Sequence, residues 1–167
     1  MRRKVLLVLV CMIIVAASFL GYRTIQKISR ERAVTEGYRT LPPLILFDMD
    51  STQVKMSSSG KTVLVHFNSA CDICQTEIQT FVQHSAKLNK ATVIFISSEA
   101  ISDIRNFAIV NVNRDIPNFQ FLKADAFQLS EVFGAMAVPH IFIYNGEGVL
   151  QKEYKGETKI EAIEKYL

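Results

Sequence analysis

The chain has 167 residues, 49% of them apolar, which excludes intrinsic disorder and allows one domain with a single core once an N-terminal segment is set aside. The formal charge of +3 is uneven: Arg2, Arg3, Lys4, Arg23, Lys27, Arg30, Arg32 and Arg39 crowd the N-terminus against Glu31 and Glu36, and the remainder carries more acid than base. The domain therefore has no basic patch, which excludes nucleic acid as a partner, while the positive N-terminal flanks suit anionic lipid headgroups.

MRRK precedes sixteen residues, Val5 to Leu20, whose one polar member is Ser18. As a helix they span roughly 24 Å. Gly21 and Tyr22 extend the run, with the tyrosine suited to a membrane interface. Residues 1–22 are expected to be one transmembrane anchor helix or the apolar region of a signal peptide, with Ala16-Ala17-Ser18 as a small-residue cleavage site. The uncleaved anchor, inserted through residues 5–22, is favoured because a helix-compatible basic stretch runs on through residue 36 without a breaker. Cys11 sits mid-run between Val10 and Met12 and reads as an apolar membrane residue. Both flanks are basic, so charge does not orient the segment. A short basic tail before a long domain is the usual signal-anchor arrangement, which places the domain in the periplasm or at the cell exterior. Residues 23–40 are a basic juxtamembrane helix or linker, ended by Leu41-Pro42-Pro43. Residues 41–167 form the folded domain.

Within it, Leu44 to Met56 holds two short apolar segments around Asp50-Ser51-Thr52, a β-hairpin pattern, and residues 57–61 form a polar loop. Thr62 to Phe67 is a near-continuous β-branched and aromatic run, as a buried strand requires. From Cys71 the period changes: Cys74, Ile78, Phe81, Val82 and Ser85 fall on one helical face. Ala91 to Ser97 is a second buried strand. Residues 99–109 read as a helix, FQFLKAD as a short strand and AFQLSEVFGAM as a short helix. Pro139 to Asn145 is a third strong strand, Asn145-Gly146-Glu147-Gly148 a turn, VLQKEY its hairpin partner, and GETKIEAIEKYL a closing helix. Strands alternating with helices predict an α/β layered domain.

Cys71 and Cys74 sit where the first strong strand gives way to a helix. A helix start presents unpaired N–H groups and a positive dipole end, which stabilise a thiolate at Cys71; Asp72 opposes this. With Cys71 at the helix tip and Cys74 one turn on and more buried, Cys71 attacks and Cys74 resolves. Zinc would need about four ligands, and only His66, His84 and His140 are available to join the pair. A permanent disulfide across so short a loop removes little unfolded-state entropy. A working redox pair fits better than a clamp or a staple, with no metal and no cofactor beyond the redox-active Cys71–Cys74 disulfide itself.

On these residues the chain resembles the thioredoxin-fold proteins, specifically the exported, membrane-tethered thioredoxin-like proteins of the TlpA/ResA type. The resemblance covers roughly residues 41–167 and rests on LPPLILFDMDSTQVKM, GKTVLVHFNSACDICQTEI and the stretch from FLKAD through VPHIFIYNGEG. It implies a central mixed β-sheet flanked by helices with an N-terminal β-hairpin extension. It implies further that Pro139 is a cis-proline beside the cysteines, leaving backbone groups of Val138 free to dock an extended substrate strand. Glu77 matches the acid of a CxxCxxE pattern and is either a proton relay for the cysteines or a solvated helix acid. Three departures stand out: Ala70 replaces the usual tryptophan, His140 replaces the usual threonine after the proline, and His66 or Val65 takes the place of a buried acid. His66 and His140 are candidates for tuning the pair; His140 is placed to contact a substrate, the thiolate or solvent.

The implied function is a membrane-anchored, exported thiol–disulfide oxidoreductase that reduces protein disulfides. Its partners would be exported clients with disulfides or dithiols and a membrane redox partner. Oxidation of dithiols would use the same residues, with redox potential deciding the direction. Two other classes compete. A peroxiredoxin-like thiol peroxidase would need a proline shortly before its cysteine; Ser69 is present but that proline is not. A non-enzymatic copper- or zinc-binding module would use Cys71, Cys74 and His140.

Overall fold

A computed structural model describes residues 2–56, 60–134 and 137–167, leaving aside the side chains of residues 2–10, 28 and 30–35. The chain divides into two compact units, Met1–Glu36 and Gly37–Leu167.

The first unit is helical. Helix α1 runs Arg2–Gly37, so the helix expected across the apolar run continues through the basic stretch behind it, which carries no proline. Met12, Ile13, Ile14, Val15, Phe19, Leu20, Tyr22 and Ile25 are all exposed. Among the described residues no helix is long and apolar enough to cross a membrane, and Val5 to Val10, the start of the apolar run, have no described side chains.

The second unit is built on one seven-stranded sheet. Its strands are β1 (Leu46–Phe47), β2 (Gln53–Val54), β3 (Lys61–His66), β4 (Ala91–Ser97), β5 (Phe119–Ala124), β6 (His140–Tyr144) and β7 (Leu150–Lys155), in the spatial order β2-β1-β5-β4-β3-β6-β7. The central β3, β4 and β5 are parallel and the flanking pairs antiparallel. The β1–β2 pair is the expected N-terminal hairpin. Of the polar loop expected at 57–61, Ser57–Ser59 lie outside the described residues and Lys61 already belongs to β3. The central strands are covered on both faces, which is why β4 and β6 read as continuous apolar runs rather than alternating ones.

Among the described residues four α-helices cover the sheet. On one face lie α2 (Asp72–Gln83), α3 (Ile101–Asn111) and α5 (Ile160–Glu164), whose Cys74, Ile78, Phe81, Ile104, Phe107, Ile160 and Ile163 share a core with Val63, Val65, Phe67, Phe95, Ile141 and Ile143. Burying one such large side chain contributes about 1.5–3 kcal/mol. The pleat sends the alternate residues to the opposite face. There Phe142 packs on Tyr38 and on Phe133 of α4 (Ala126–Phe133), at centroid separations of 5.1 and 4.7 Å. Asp125 caps α4, accepting from the amides of Phe127 and Gln128. The end expected for this helix, Ala135 and Met136, lies outside the described residues.

The segment after α1 is stitched to the last hairpin. Leu150 N–H donates to Arg39 O, Leu41 N–H to Gly148 O, and the Tyr144 hydroxyl to Tyr38 O. That hairpin is closed by Asn145, whose side-chain oxygen accepts from Glu147 and Val149 amides, and by Gly148 at φ 73°.

Candidate active site

The cysteine loop begins where β3 ends. Asn68 starts it as a turn: its side-chain oxygen accepts from Ala70 N–H at 3.0 Å and its carbonyl from Cys71 N–H at 3.2 Å. Cys71 follows as the N-cap of α2, with extended backbone. In that place a serine or aspartate oxygen would accept an orphan helix amide; here sulfur does so, with Cys74 N–H donating to Cys71 Sγ at 3.3 Å. A thiolate at Sγ would strengthen this bond, since an ionised acceptor binds an amide more tightly than a neutral one. Both thiols are free. Cys71 is half-buried and Cys74 fully buried. Burial, aided by its neighbour Cys71, pushes the Cys74 thiol up to about 12.

Glu77 sits one turn beyond Cys74 on the same helix and is fully buried, so it is not a solvated helix acid. Its Oε2 accepts from Thr158 N–H at 3.1 Å, while Oε1 has no protein partner. Burial raises its carboxyl to about 7, against the lowering effect of the Thr158 amide and with a further push from Glu157.

The Val138-Pro139 peptide is cis. Cys71 Sγ lies 3.9 Å from Val138 O, and Val138 packs against the same core as Cys74. Cys71, Cys74, Glu77, Val138 and Pro139 are thus brought to one end of the sheet. Pro139 O is held from the other side by Gly156 N–H at 2.8 Å.

His66 and His140 are placed elsewhere. They are direct cross-strand partners on β3 and β6, and both alternate with residues of the α2-side core, so their rings lie on the opposite face of the sheet from Cys74. His140 is buried and faces neither solvent nor thiolate. Its ring packs on Phe142 at 4.1 Å, and Nε2 lies 3.7 Å from Glu153 Oε2, too far for a hydrogen bond. Burial lowers His140 to about 4 despite Glu153, and lowers His66 to about 4 with His140 adding to the effect. The set Cys71, Cys74 and His140 is therefore divided by the sheet, and no three His, Cys, Asp or Glu residues among those described are grouped to hold a metal.

Glu99 is a site residue that the sequence reading missed. Its Oε1 accepts from the Ser69 hydroxyl at 2.6 Å and its Oε2 from the Ser69 amide and the Ser97 hydroxyl, each at 2.8 Å. Partial burial would raise this carboxyl, but these bonds outweigh it and hold Glu99 below its ordinary range. Gln75 Nε2 adds a bond to Ser69 O at 3.2 Å. A signal was present: parallel β3 and β4 pair with a constant offset, His66 opposite Ile96, and residues 69 and 99 each lie three further along.

No protein-family profile matches the chain, and no curated protein is similar to it in sequence. Its fold is nevertheless shared with solved structures. The exposed lipoprotein thioredoxin of Streptococcus pneumoniae matches at a TM-score of 0.60 with 21% identity, over 75% of this chain and 99% of that one. A secreted disulfide oxidoreductase of Mycobacterium tuberculosis matches at 0.62 with 14% identity, over 78% and 96%. Copper-bound ScoI of Arabidopsis thaliana matches at 0.58 with 13% identity, over 74% and 92%. At these identities the likeness establishes a thioredoxin fold and leaves the chemistry to the site.

Proposed function

We propose that the chain is a thiol–disulfide oxidoreductase that reduces disulfides in exported proteins, tethered to a membrane by residues 5–22 with its catalytic domain in the periplasm or at the cell exterior. The observation that carries this reading is the Cys74 amide donating to Cys71 Sγ at the start of α2, with Cys74 buried one turn behind. The Cys71 thiolate attacks one sulfur of a client disulfide. The client S–S bond breaks, a mixed disulfide forms, and the other client sulfur leaves as a thiolate that takes a proton from water. Cys74 then attacks Cys71 Sγ, closing the Cys71–Cys74 disulfide and releasing the client's second thiol. The two electrons gained by the client are those lost by the pair.

The second step needs Cys74 deprotonated, which its burial opposes. Glu77 is the base for it: it follows on the next turn, titrates near neutrality, and its Oε1 is free to take the proton. Val138 and Pro139 offer the backbone edge on which the client strand lies beside Cys71. Division of Cys71 and Cys74 from His140 by the sheet weighs against the copper- or zinc-binding alternative.

The test is a trap. Cys74→Ser is expected to accumulate mixed disulfides with exported proteins and with model substrates, and Cys71→Ser to form none. Absence of adducts from the Cys74→Ser protein would sink the reading. The redox potential of the pair, set against that of its compartment, checks that reduction is the working direction.

A further inference from the structure

A pocket of about 320 Å³ opens between α2 and α3 beside the cysteine loop. Ser69 and Gln75 wall it on the cysteine side; Asp103, Asn106, Phe107 and Val110 wall it on the α3 side. Its lining offers both donors and acceptors from Gln75, Asn106 and Asn111, but only negative charge. Gln75 Nε2 donates one hydrogen to Ser69 O, and Oε1 remains as an acceptor. Asn111, at the base, accepts from Gln79 Nε2 with its oxygen and donates to Phe107 O with its nitrogen. Asp103 is the one charged residue among the described lining residues.

The charge around the pocket has the same sign. The Glu99 carboxylate is bonded to Ser69, and Asp72 follows Cys71 directly. The arginines of α3 and the loop behind it are turned away. Arg105 donates to Met49 O and lies 3.8 Å from Asp50; Arg114 donates to Val82 O and to Ser85 Oγ. The exposed Val110 adds apolar surface beside these groups, with the buried Phe107 beneath it. A long side chain with a cationic head and an aliphatic stem fits the charge and the apolar wall: stem on Val110, head on Asp103 and Gln75 Oε1.

We infer that this pocket is a client subsite that takes a lysine or arginine side chain, so that disulfides flanked by basic residues are the preferred substrates. The inference rests on the oxidoreductase reading. Ser69 lies two residues before Cys71 and Gln75 one helical turn after it. A client cysteine bonded to Cys71 would therefore carry its neighbours past the pocket at about 3.3 Å per residue of extended chain.

The experiment compares disulfide peptides identical except for Arg, Ala or Glu two or three residues from the cysteine, reduced by the full chain in detergent at low and high salt. A small uncharged disulfide is run in parallel. Arg is expected to exceed Glu in kcat/KM by about 5-fold at low salt, the size of an exposed charge pair, and the ratio should shrink at high salt. Asp103→Asn should bring the Arg-to-Glu ratio towards one, and Asp103→Lys should invert it. Because the ratio is taken within each variant, a general loss of activity cancels. Equal rates for the three peptides with the unaltered chain, or an unchanged ratio in Asp103→Asn, would overturn the subsite. No reduction of any disulfide, the small one included, would overturn the oxidoreductase reading instead.

Discussion

The Thr158 amide donates to Glu77 Oε2 at 3.1 Å, tying the cysteine-bearing helix α2 to a segment 81 residues away in sequence. The bond keeps the carboxyl buried under the cysteine pair, where desolvation outweighs the amide's pull and sets its titration near 7.

A carboxyl whose folded pKa is raised stabilises the fold only while protonated. Its contribution is fully present below the unfolded value near 4.5 and is lost as pH rises through about 7. The loss is on the order of 3 kcal/mol at the usual conversion of pKa to free energy. Glu77→Gln should flatten this part of the stability–pH curve, read by denaturant titration between pH 4 and 8. The same variant should slow resolution of the mixed disulfide at pH 7 by about 10²-fold, the usual scale for losing a general base.

His66 and His140 act in the opposite sense. With folded values near 4 against an unfolded 6.5, each contributes stability that is present above pH 6.5 and lost as pH falls towards 4. Set against Glu77 alone, the two histidines place the maximum from these three groups near pH 7. His140→Phe, whose ring keeps the contact with Phe142, should reduce acid sensitivity in a series of Tm values from pH 4 to 7. An unchanged acid limb would show that His140 is not part of it.

Glu99 is expected to matter out of proportion to its place outside the cysteine motif. Glu99→Ala leaves the Ser69 amide, the Ser69 hydroxyl and the Ser97 hydroxyl without their acceptor. The expected cost is about 2 kcal/mol, since a hydrogen bond to a charged group contributes roughly 1.5–3 and the site is part-exposed. The loop should loosen as well, and the rate of Cys71 alkylation by a small reagent should change while Cys74 stays protected.

Tyr144→Phe removes the hydroxyl that donates to Tyr38 O at 3.0 Å in the buried layer under α4. The expected loss is about 1 kcal/mol, for one buried hydrogen bond. Amide exchange should rise across residues 38–41, where the chain is stitched to the last hairpin.

The strands carrying the site were legible because their runs are strongly β-branched: Thr62 to Phe67, Ala91 to Ser97 and the stretch after Pro139 need only local composition to be placed. So was the switch to helical period at Cys71. What stayed hidden depends on contacts that composition does not encode. Burial of Glu77 is decided by a backbone amide from the far end of the chain. Recruitment of Glu99 follows from the register of two parallel strands. The faces of His66 and His140 follow from the phase of the pleat: resemblance set His66 against a buried acid, while alternation with Val65 and Phe67 turns it away from Cys74.

The Ser69–Glu99 clamp has a consequence for how this site can diversify. The loop is held by Asn68, Ser69, Gln75 and Glu99, and no described side-chain bond from Ala70, Asp72 or Ile73 supports it. Framework and reactivity are thereby assigned to different positions. Selection can exchange the residues that bracket the thiols, and with them the strength of the pair, without rebuilding the scaffold that presents it.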